Sequence, residues 1–476
     1  MRFPVALGFA FRHSTIPRSR IAVPHHVIRR AMSKDRELSI ETMLAHAGCD
    51  AGGVGTDEQH GGVTPPIHMA STYERSADLE YPKGFVYGRV GNPTRALFES
   101  TMAKVEGGGE AAAFASGMAA VSAIFQASPK AHVLLPDDVY HGTRTVLNTV
   151  FDGWLSYSTV DFTDLDAVSA AASEAASRGV PRVVAWVETP SNPLLKVSDV
   201  PAIAAAVKAA VKAALTNKSS ASTSTSASSP TSPCACEAVV VVDSTWLTPA
   251  LMRPLEWGAD LTVHATTKYL GGHSDMVGGV VVAAKKTSAE EGDGDGDGGA
   301  TGADDGAKSL FDKVRDVQCL AGTQQAPFDC WLALRGMRSL GARLRVHCAN
   351  ALAVAEFLED HPAVAAVHYP GLPTHPGHST MLAQCHGAEE LGFGGMLSFQ
   401  PKGGRGAAVC VAANLKLIRR ATSLGGTESL VEHRRSIEPP DSSTPDDLLR
   451  LSVGLENETD LLRDLDQALA AVGKPR

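Results

Sequence analysis

Short valine-rich runs alternate with longer alanine-rich runs along much of the chain, and this alternation constrains the fold more than any other feature. The valine-rich runs predict buried strands at residues 132–135, 183–187, 239–242, 261–263 and 280–283. Their nearly continuous apolar content is typical of strands covered on both faces, as in a mainly parallel sheet. The alanine-rich runs predict helices at residues 112–125, 165–177 and 200–215. Strands that alternate with helices predict an α/β layered domain.

The pattern changes beyond residue 331, where we expect a smaller α+β domain. A long helix is predicted through residue 357, then a turn region at 370–378 and strands at 395–400 and 449–453. The last helix places four apolar side chains on one face, which indicates core packing: Leu462, Leu465, Leu469 and Val472. A chain of 476 residues is too long for one ordinary core. The predicted parts are a leader at 1–34, an arm at 35–92, a larger α/β domain at 93–330 and the smaller domain at 331–476.

The leader and two inserts stand apart from this pattern. Residues 1–34 are rich in arginine and contain no acidic residue, which is typical of a mitochondrial or plastid transit peptide. The alternative is an upstream extension with Met32 as the true start, which would leave the protein in the cytoplasm. The inserts at 217–233 and 290–306 are dominated by small and polar residues, so we expect mobile surface loops there.

Composition excludes several classes of function. The formal net charge of -9 gives no reason to expect a nucleic acid or an anionic membrane as a partner. No apolar run approaches the ~20 residues that a membrane-spanning helix needs. Eight cysteines are too sparse for a disulfide framework, and free thiols in a reducing compartment are expected. Cys234 and Cys236 form a CxC pair without a second ligand pair nearby, so we expect no metal site.

Lys268 lies just beyond the predicted strand at 261–263, in the run His264-Ala-Thr-Thr-Lys268-Tyr-Leu-Gly-Gly-His-Ser-Asp275. A lysine at a strand end, beside hydroxyls and before glycines, is well placed to form a Schiff base with an aldehyde cofactor. Burial lowers the pKa of such a lysine, and its neutral amine can then attack. Taken alone, an ordinary surface lysine is the alternative.

Asp243 ends the apolar run at 238–242. An acid at the C-terminal end of a buried parallel strand points into the crevice where α/β sheets bind ligands. It would keep a pyridinium nitrogen protonated there and so make the ring an electron sink. A turn or helix-capping aspartate is the alternative.

Ser116-Gly117-Met118 follows the strand-like run at 111–115 and opens an alanine-rich helix. A turn of small residues at a helix N-terminus presents free N–H groups and the positive end of the helix dipole to a phosphate. The motif is weak by itself, because tight strand-to-helix turns often need glycine.

Taken together, six motifs resemble those of the Cys/Met-metabolism (trans-sulfuration) enzymes that depend on pyridoxal phosphate (PLP). They are Tyr87-Gly-Arg89-Val-Gly-Asn-Pro93-Thr, Val139-Tyr140-His-Gly-Thr, Glu188-Thr-Pro-Ser-Asn192-Pro, Asp243-Ser-Thr-Trp, Thr267-Lys268-Tyr-Leu-Gly-Gly-His-Ser-Asp275 and Ser423-Leu-Gly-Gly426. They occur in the family's order and cover roughly residues 65 to 470, apart from the two inserts. The resemblance implies the PLP-dependent fold type I, similar to aspartate aminotransferase, with a mainly parallel central sheet and a smaller C-terminal α+β domain.

The resemblance also implies a role for each matching residue. Lys268 and Tyr140 would be catalytic: Lys268 forms the Schiff base and shuttles protons, and Tyr140 stacks on the ring. The remaining cofactor contacts would be Asp243 at the pyridine nitrogen, Asn192 at the ring hydroxyl, and Gly117, Met118 and Thr267 at the phosphate. Tyr87 and Arg89 would reach the phosphate of a neighbouring subunit, which implies a homodimer or homotetramer with shared active sites. Ser423 and Arg450, with Thr422 beside them, would bind the substrate, and a guanidinium suits a carboxylate.

The sequence departs from the family pattern at three places. Ala265 stands where the family usually has a phosphate-binding serine, and Thr266 is the neighbouring hydroxyl that would have to substitute. Thr422 stands where γ-synthases and γ-lyases often have glutamate. The family segment with Thr-His-Ala is replaced by Glu432-His-Arg-Arg-Ser-Ile437, so a different substrate pocket is expected.

The expected reaction begins with removal of the Cα proton of a sulfur amino acid and ends with loss of a β or γ substituent, or with replacement of the γ substituent by a thiol. The sequence beside Lys268 most resembles the synthase and γ-lyase branch, so chemistry at the γ-carbon of cystathionine-type substrates is favoured. Elimination at the β-carbon is the alternative that Thr422 supports. A non-catalytic protein on the same scaffold is the alternative from another class.

Overall fold

The computed structural model describes residues 38–49, 60–221, 236–285, 308–386, 391–439 and 442–473. The leader at 1–34, the insert at 290–306, Cys234 and all but the first residues of the insert at 217–233 lie outside the described residues. The transit-peptide and mobile-loop predictions therefore stay predictions, as do the domain boundaries.

The larger of two sheets has seven strands. They are β1 (Glu110–Phe114), β2 (His132–Pro136), β3 (Ser156–Val160), β4 (Arg182–Glu188), β5 (Glu237–Asp243), β6 (Leu261–His264) and β7 (Gly279–Ala283). Their order is β1-β7-β6-β5-β4-β2-β3, and the neighbouring pairs from β6 to β3 are parallel. Only β7 runs against its two neighbours within this sheet. The mainly parallel sheet and its five predicted strands are thus confirmed.

Helices connect and cover these strands. They are α1 (Ile40–Ala45), α2 (Pro93–Val105), α3 (Gly117–Gln126), α4 (His141–Thr149), α5 (Leu165–Ser177), α6 (Val200–Ala221), α7 (Thr248–Leu251), α8 (Leu310–Leu320) and α9 (Pro327–Met337). Residues Val200–Asn217 of α6 are long and apolar enough for a membrane span by length and composition alone. Val200, Ile203 and Val207 of this helix are fully buried in the core beside the sheet.

The predicted helix at 112–125 is partly wrong, because its first residues belong to β1. Ala112 pairs with Val281 of β7 in an antiparallel register. The chain leaves β1 through Ser116, which has an extended backbone and caps α3. Its side-chain oxygen accepts the N–H of Ala119. Alanine is compatible with both structures, so the run alone did not fix the boundary.

The second sheet has five strands, β8 (Val364–His368), β9 (Met396–Pro401), β10 (Arg419–Arg420), β11 (Leu430–His433) and β12 (Leu449–Ser452), in the order β10-β11-β12-β9-β8. Only the short β10 is parallel to its neighbour in this sheet. Its helices are α10 (Leu340–Asp360), α11 (His378–Gln384), α12 (Gly404–Asn414) and α13 (Glu458–Leu469). The strands and the last helix confirm the smaller α+β part.

The long helix predicted beyond residue 331 is in fact two helices, α9 and α10. They part at Ser339, whose backbone N–H bonds to the carbonyl oxygen of Gly336 in a tight turn. Gly336 packs so closely on the carbonyl of Leu270 that a Cβ there would lie 2.3 Å from the oxygen. This close approach fixes the end of α9 on the segment that follows Lys268.

Candidate active site

A cavity of about 250 Å³ opens at the carboxyl ends of the parallel strands. Ten of the residues predicted for the site line it: Gly117, Met118, Tyr140, Asn192, Asp243, Thr267, Lys268, Thr422, Ser423 and Arg450. They come from the ends of β1, β2, β4, β5 and β6 and from the second sheet. The fold therefore brings together residues as far apart in the sequence as Gly117 and Arg450. This is the edge at which open α/β sheets bind ligands.

Lys268 presents its amine to the cavity. Its Nζ lies 2.9 Å from the Ser423 hydroxyl oxygen. Burial, with the positive charge of Arg450 as a second cause, lowers the pKa of Lys268 from its ordinary value to about 8. Ser423 has a φ of +91°, a strained conformation for a residue with a side chain, and its hydroxyl meets the amine in that conformation. The site therefore holds an amine whose neutral form is accessible near neutral pH.

Asp243 lies at the end of β5, directly opposite Glu188 at the end of β4. Burial raises the pKa of the Asp243 carboxyl, although the N–H of Thr245 donates to it at 3.0 Å. Burial also raises the pKa of Glu188 well above its ordinary value, and the charge of Asp243 adds to this effect. Among the described residues no basic side chain forms an ion pair with Asp243. The charge of His264 acts to lower the pKa of Asp243, but burial is the larger cause and raises it. A buried carboxyl that forms no ion pair with a side chain fits a ligand that brings a protonated nitrogen.

The N-terminus of α3 lies across the cavity from the second sheet. Gly117 and Met118 occupy the first turn of this ten-residue helix, where backbone N–H groups are not used within the helix. The Thr267 hydroxyl lies nearby, accepting the N–H of Gly278 at 3.0 Å. A Cβ on Gly117 would lie 2.8 Å from the Cβ of Ala265, so glycine is needed for this approach. The arrangement suits a phosphate group.

Thr266 does not take the place of the missing hydroxyl at Ala265. Its side chain is fully buried and does not line the cavity, whereas Ala265 does. A Cβ on Gly278 would lie 2.4 Å from the Thr266 hydroxyl oxygen, so this hydroxyl is directed towards Gly278. The phosphate end of the cavity therefore has one side-chain hydroxyl fewer than the family pattern.

Arg450 of β12 lies at the opposite end of the cavity and is 4% exposed. Its Nη1 donates to the Asn192 side-chain oxygen at 3.1 Å, and its Nη2 donates to Glu432 at 2.7 Å. The Ser423 carbonyl oxygen also accepts from Nη2, at 3.3 Å. The Arg450 guanidinium, the Asn192 amide and the Lys268 amine therefore line the same cavity, which is large enough for a small amino acid.

Tyr140 lines the same cavity just before α4. Its backbone N–H donates to the Glu188 carboxyl at 3.1 Å, which fixes the loop after β2 to the end of β4. Burial raises the pKa of its phenol, while the charges of Arg434 and Arg450 act in the opposite direction. The phenol is therefore in its neutral form at neutral pH.

Sequence reasoning missed Arg434 and Glu188 as parts of the site. Both line the cavity, and both are buried. Glu188 stands inside a motif that matches the family and at the end of a predicted strand, as Asp243 does. The argument that placed Asp243 at the ligand-binding edge of the sheet would therefore have found Glu188 too. Arg434 is part of the segment that departs from the family, and its burial follows from tertiary packing alone.

Tyr87 and Arg89 do not line the cavity of their own chain. Tyr87 is 47% exposed, and the Arg89 guanidinium lies 5.8 Å from the centre of the Tyr87 ring. Arg89 also donates to the carbonyl oxygen of Cys319. The structure thus separates this pair from the other ten predicted residues, and their role at a neighbouring subunit stays a prediction.

These features fit PLP on three counts. The uncompensated carboxyl of Asp243 suits a protonated pyridine nitrogen, the first turn of α3 with Thr267 suits the phosphate, and the Lys268 amine suits the aldehyde carbon. Asn192 and Tyr140 line the same cavity and would hold the ring hydroxyl and the ring face.

Comparison with known proteins agrees with this geometry. The family model described as Cys/Met metabolism PLP-dependent enzyme matches residues 41–224 and 232–470. Cystathionine gamma-synthase of Mycobacterium tuberculosis is 41% identical over 422 residues, which are 87% of this chain and 93% of that relative. Cystathionine beta-lyase of Lactococcus lactis is 36% identical over 441 residues, covering 90% of this chain and 99% of that protein. The crystal structure of cystathionine gamma synthase from Xanthomonas oryzae pv. oryzae in complex with cystathionine superimposes with a TM-score of 0.74 at 34% identity, over 92% of this chain and 99% of the other. The chain therefore belongs to the Cys/Met metabolism family of PLP-dependent enzymes.

Proposed function

We propose that this enzyme acts at the γ-carbon of cystathionine-type substrates, most directly as a cystathionine γ-synthase that replaces the ester group of an activated homoserine with cysteine, or as a γ-lyase. The observation that carries the proposal is the single cavity in which Lys268, Asp243 and Arg450 converge. The choice of the γ-carbon is supported by the 41% identity to a protein named cystathionine gamma-synthase over 87% of the chain.

PLP, when bound, supplies an electron sink for charge that develops at the substrate Cα. Arg450 would bind the substrate carboxylate, with Asn192 holding one edge of the guanidinium. The Lys268 amine, with its pKa lowered to about 8, would accept the Cα proton and return it at a neighbouring carbon. Asp243 would keep the ring nitrogen protonated throughout.

A product assay tests the γ-carbon proposal. Purified enzyme with PLP should form cystathionine from an activated homoserine ester and cysteine, or release cysteine and 2-oxobutanoate from cystathionine. Substrate without enzyme and the Lys268→Ala variant are the controls. Failure to form either set of products would contradict the proposal.

Elimination at the β-carbon is the second candidate, and Thr422 is the observation that favours it. Thr422 is exposed and lines the cavity, so the position at which many γ-enzymes have glutamate carries no charge here. One of the relatives, from Lactococcus lactis, is named cystathionine beta-lyase. Pyruvate in place of 2-oxobutanoate in the same assay would establish this second activity.

We also propose that the active unit is a homodimer or homotetramer in which Tyr87 and Arg89 complete the phosphate site of a neighbouring subunit. The proposal is supported by the position of both residues outside their own cavity. Exposed apolar side chains flank them, among them Met69 (69% exposed) and Val90 (53% exposed). Apolar surface of this kind suits a contact between subunits.

A further inference from the structure

Four buried charged side chains form a continuous row at the wall of the cavity, which Arg434 and Arg450 line. The row runs from Glu438 through Arg434 and Glu432 to Arg450. Arg434 is 1% exposed, and its Nη1 donates to Glu432 Oε2 at 2.8 Å while its Nη2 pairs with Glu438. The same Oε2 atom accepts from Arg450 Nη2 at 2.7 Å. One carboxylate oxygen is therefore shared by two guanidinium groups.

The row is electrically balanced, with two positive and two negative groups. His141 lies at the Glu438 end of the row, with Nδ1 4.0 Å from Glu438 Oε1. The charge of Arg434 also acts on the neighbouring Tyr140 phenol and Glu188 carboxyl. Burial lowers the pKa of His141, so it is neutral at neutral pH and leaves the balance unchanged. Balanced pairing of this kind is needed to keep four charges buried. Loss of any one member leaves a net charge inside the protein.

Arg434 has a feature that pairing alone does not explain. It lines the cavity, and its Nε is buried without a hydrogen-bond partner among the described atoms. Without Arg434, the full negative charge of Glu432 would act on Arg450 alone. The Glu432 carboxylate would then compete directly with a substrate carboxylate for the same guanidinium. With Arg434 present, Glu432 is shared, and Arg450 keeps positive charge for the substrate.

We propose that Arg434 is a positioning residue that draws the charge of Glu432 away from Arg450 and so sets the affinity of the enzyme for the substrate carboxylate. The segment that contains Arg434 departs from the family pattern. The proposal deepens the proposed function and rests on it for the role of Arg450.

Two small amines test the proposal on the PLP-loaded enzyme. Glycine carries a carboxylate and methylamine does not, and the absorbance of the bound cofactor reports the dissociation constant of each. Arg434→Gln should raise the dissociation constant of glycine about tenfold or more and change that of methylamine less than about threefold. Tenfold in affinity corresponds to about 1.4 kcal/mol, a modest value for a buried charge.

The double variant Arg434→Gln/Glu432→Gln should restore glycine binding to near the unaltered level, because the competing carboxylate is gone. The single variant Glu432→Gln should bind glycine at least as tightly as the unaltered enzyme. Arg435→Gln removes an arginine from the same turn but outside the cavity, and should leave both constants unchanged.

Equal weakening of glycine and methylamine in Arg434→Gln would overturn the proposal, since it would indicate a merely structural role. Unchanged glycine binding would overturn it too. If Arg434→Gln does not fold, Glu432→Gln decides, because weaker glycine binding in that variant contradicts the competition argument. These constants do not depend on whether γ- or β-products form, so a failure of the proposed function remains distinguishable.

Discussion

Replacing Lys268 with alanine is expected to lower kcat/KM by at least about a thousandfold for whichever cystathionine-type substrate the enzyme uses. Lys268 is the only lysine that lines the cavity among the described residues, and its amine lies within hydrogen-bonding distance of Ser423. The variant loses both the covalent attachment point and the group that moves the Cα proton, so two contributions disappear together. Steady-state assay of the purified variant with added PLP measures the loss.

Lys268→Arg should be nearly as inactive, because a guanidinium stays protonated and cannot attack an aldehyde. Lys285→Ala is the matched control: Lys285 is exposed just after β7, outside the cavity, and its loss should leave kcat/KM unchanged. Activity of Lys268→Ala within tenfold of the unaltered enzyme would contradict the assignment.

Replacing Asp243 with asparagine is expected to lower kcat by at least about a hundredfold while leaving the protein folded. The neutral amide cannot keep a pyridine nitrogen protonated, and each pKa unit lost from that nitrogen corresponds to about 1.4 kcal/mol. Because burial raises the pKa of the Asp243 carboxyl, a neutral isostere removes an unfavourable buried charge. The melting temperature of the cofactor-free variant should therefore not fall.

Glu188→Gln provides the comparison for Asp243. The two carboxyls lie opposite each other, and burial raises the pKa of Glu188 well above its ordinary value. Glutamine resembles the protonated acid and can still accept the N–H of Tyr140. Its effect on kcat should be less than tenfold. Equal losses in the two variants would show that the Asp243 charge has no special role.

The parts of the fold that the sequence predicted are those with strong local signals. Runs such as β5 are apolar on both faces, and such runs are recognisable without knowledge of their neighbours. The boundary of α3 was less clear because alanine suits a strand and a helix, and only the pairing of Ala112 with Val281 decides it. The division of α9 from α10 depends on the contact of Gly336 with Leu270, which is likewise tertiary.

The residues of the candidate site likewise fall into those that local sequence signals predict and those that depend on tertiary contacts. Lys268 and Asp243 follow strands, and the carboxyl ends of parallel strands meet at one edge, so their convergence was predictable. Arg434 lies in a short turn after β11 and shares Glu432 with Arg450, a contact that depends on the antiparallel pairing of β11 with β12, which places Glu432 opposite Arg450. Nothing in the local pattern around Arg434 indicates burial, since arginines are usually exposed.

The most direct test of the account is chemical trapping of the cofactor. Borohydride reduction of the PLP-loaded enzyme, followed by protease digestion and mass spectrometry of the peptides, locates the attached pyridoxyl group. The account predicts that this group is found on Lys268 and is absent from Lys285 and from the Lys268→Ala variant. A pyridoxyl group on another lysine, or none after reduction of a fully loaded enzyme, would contradict it.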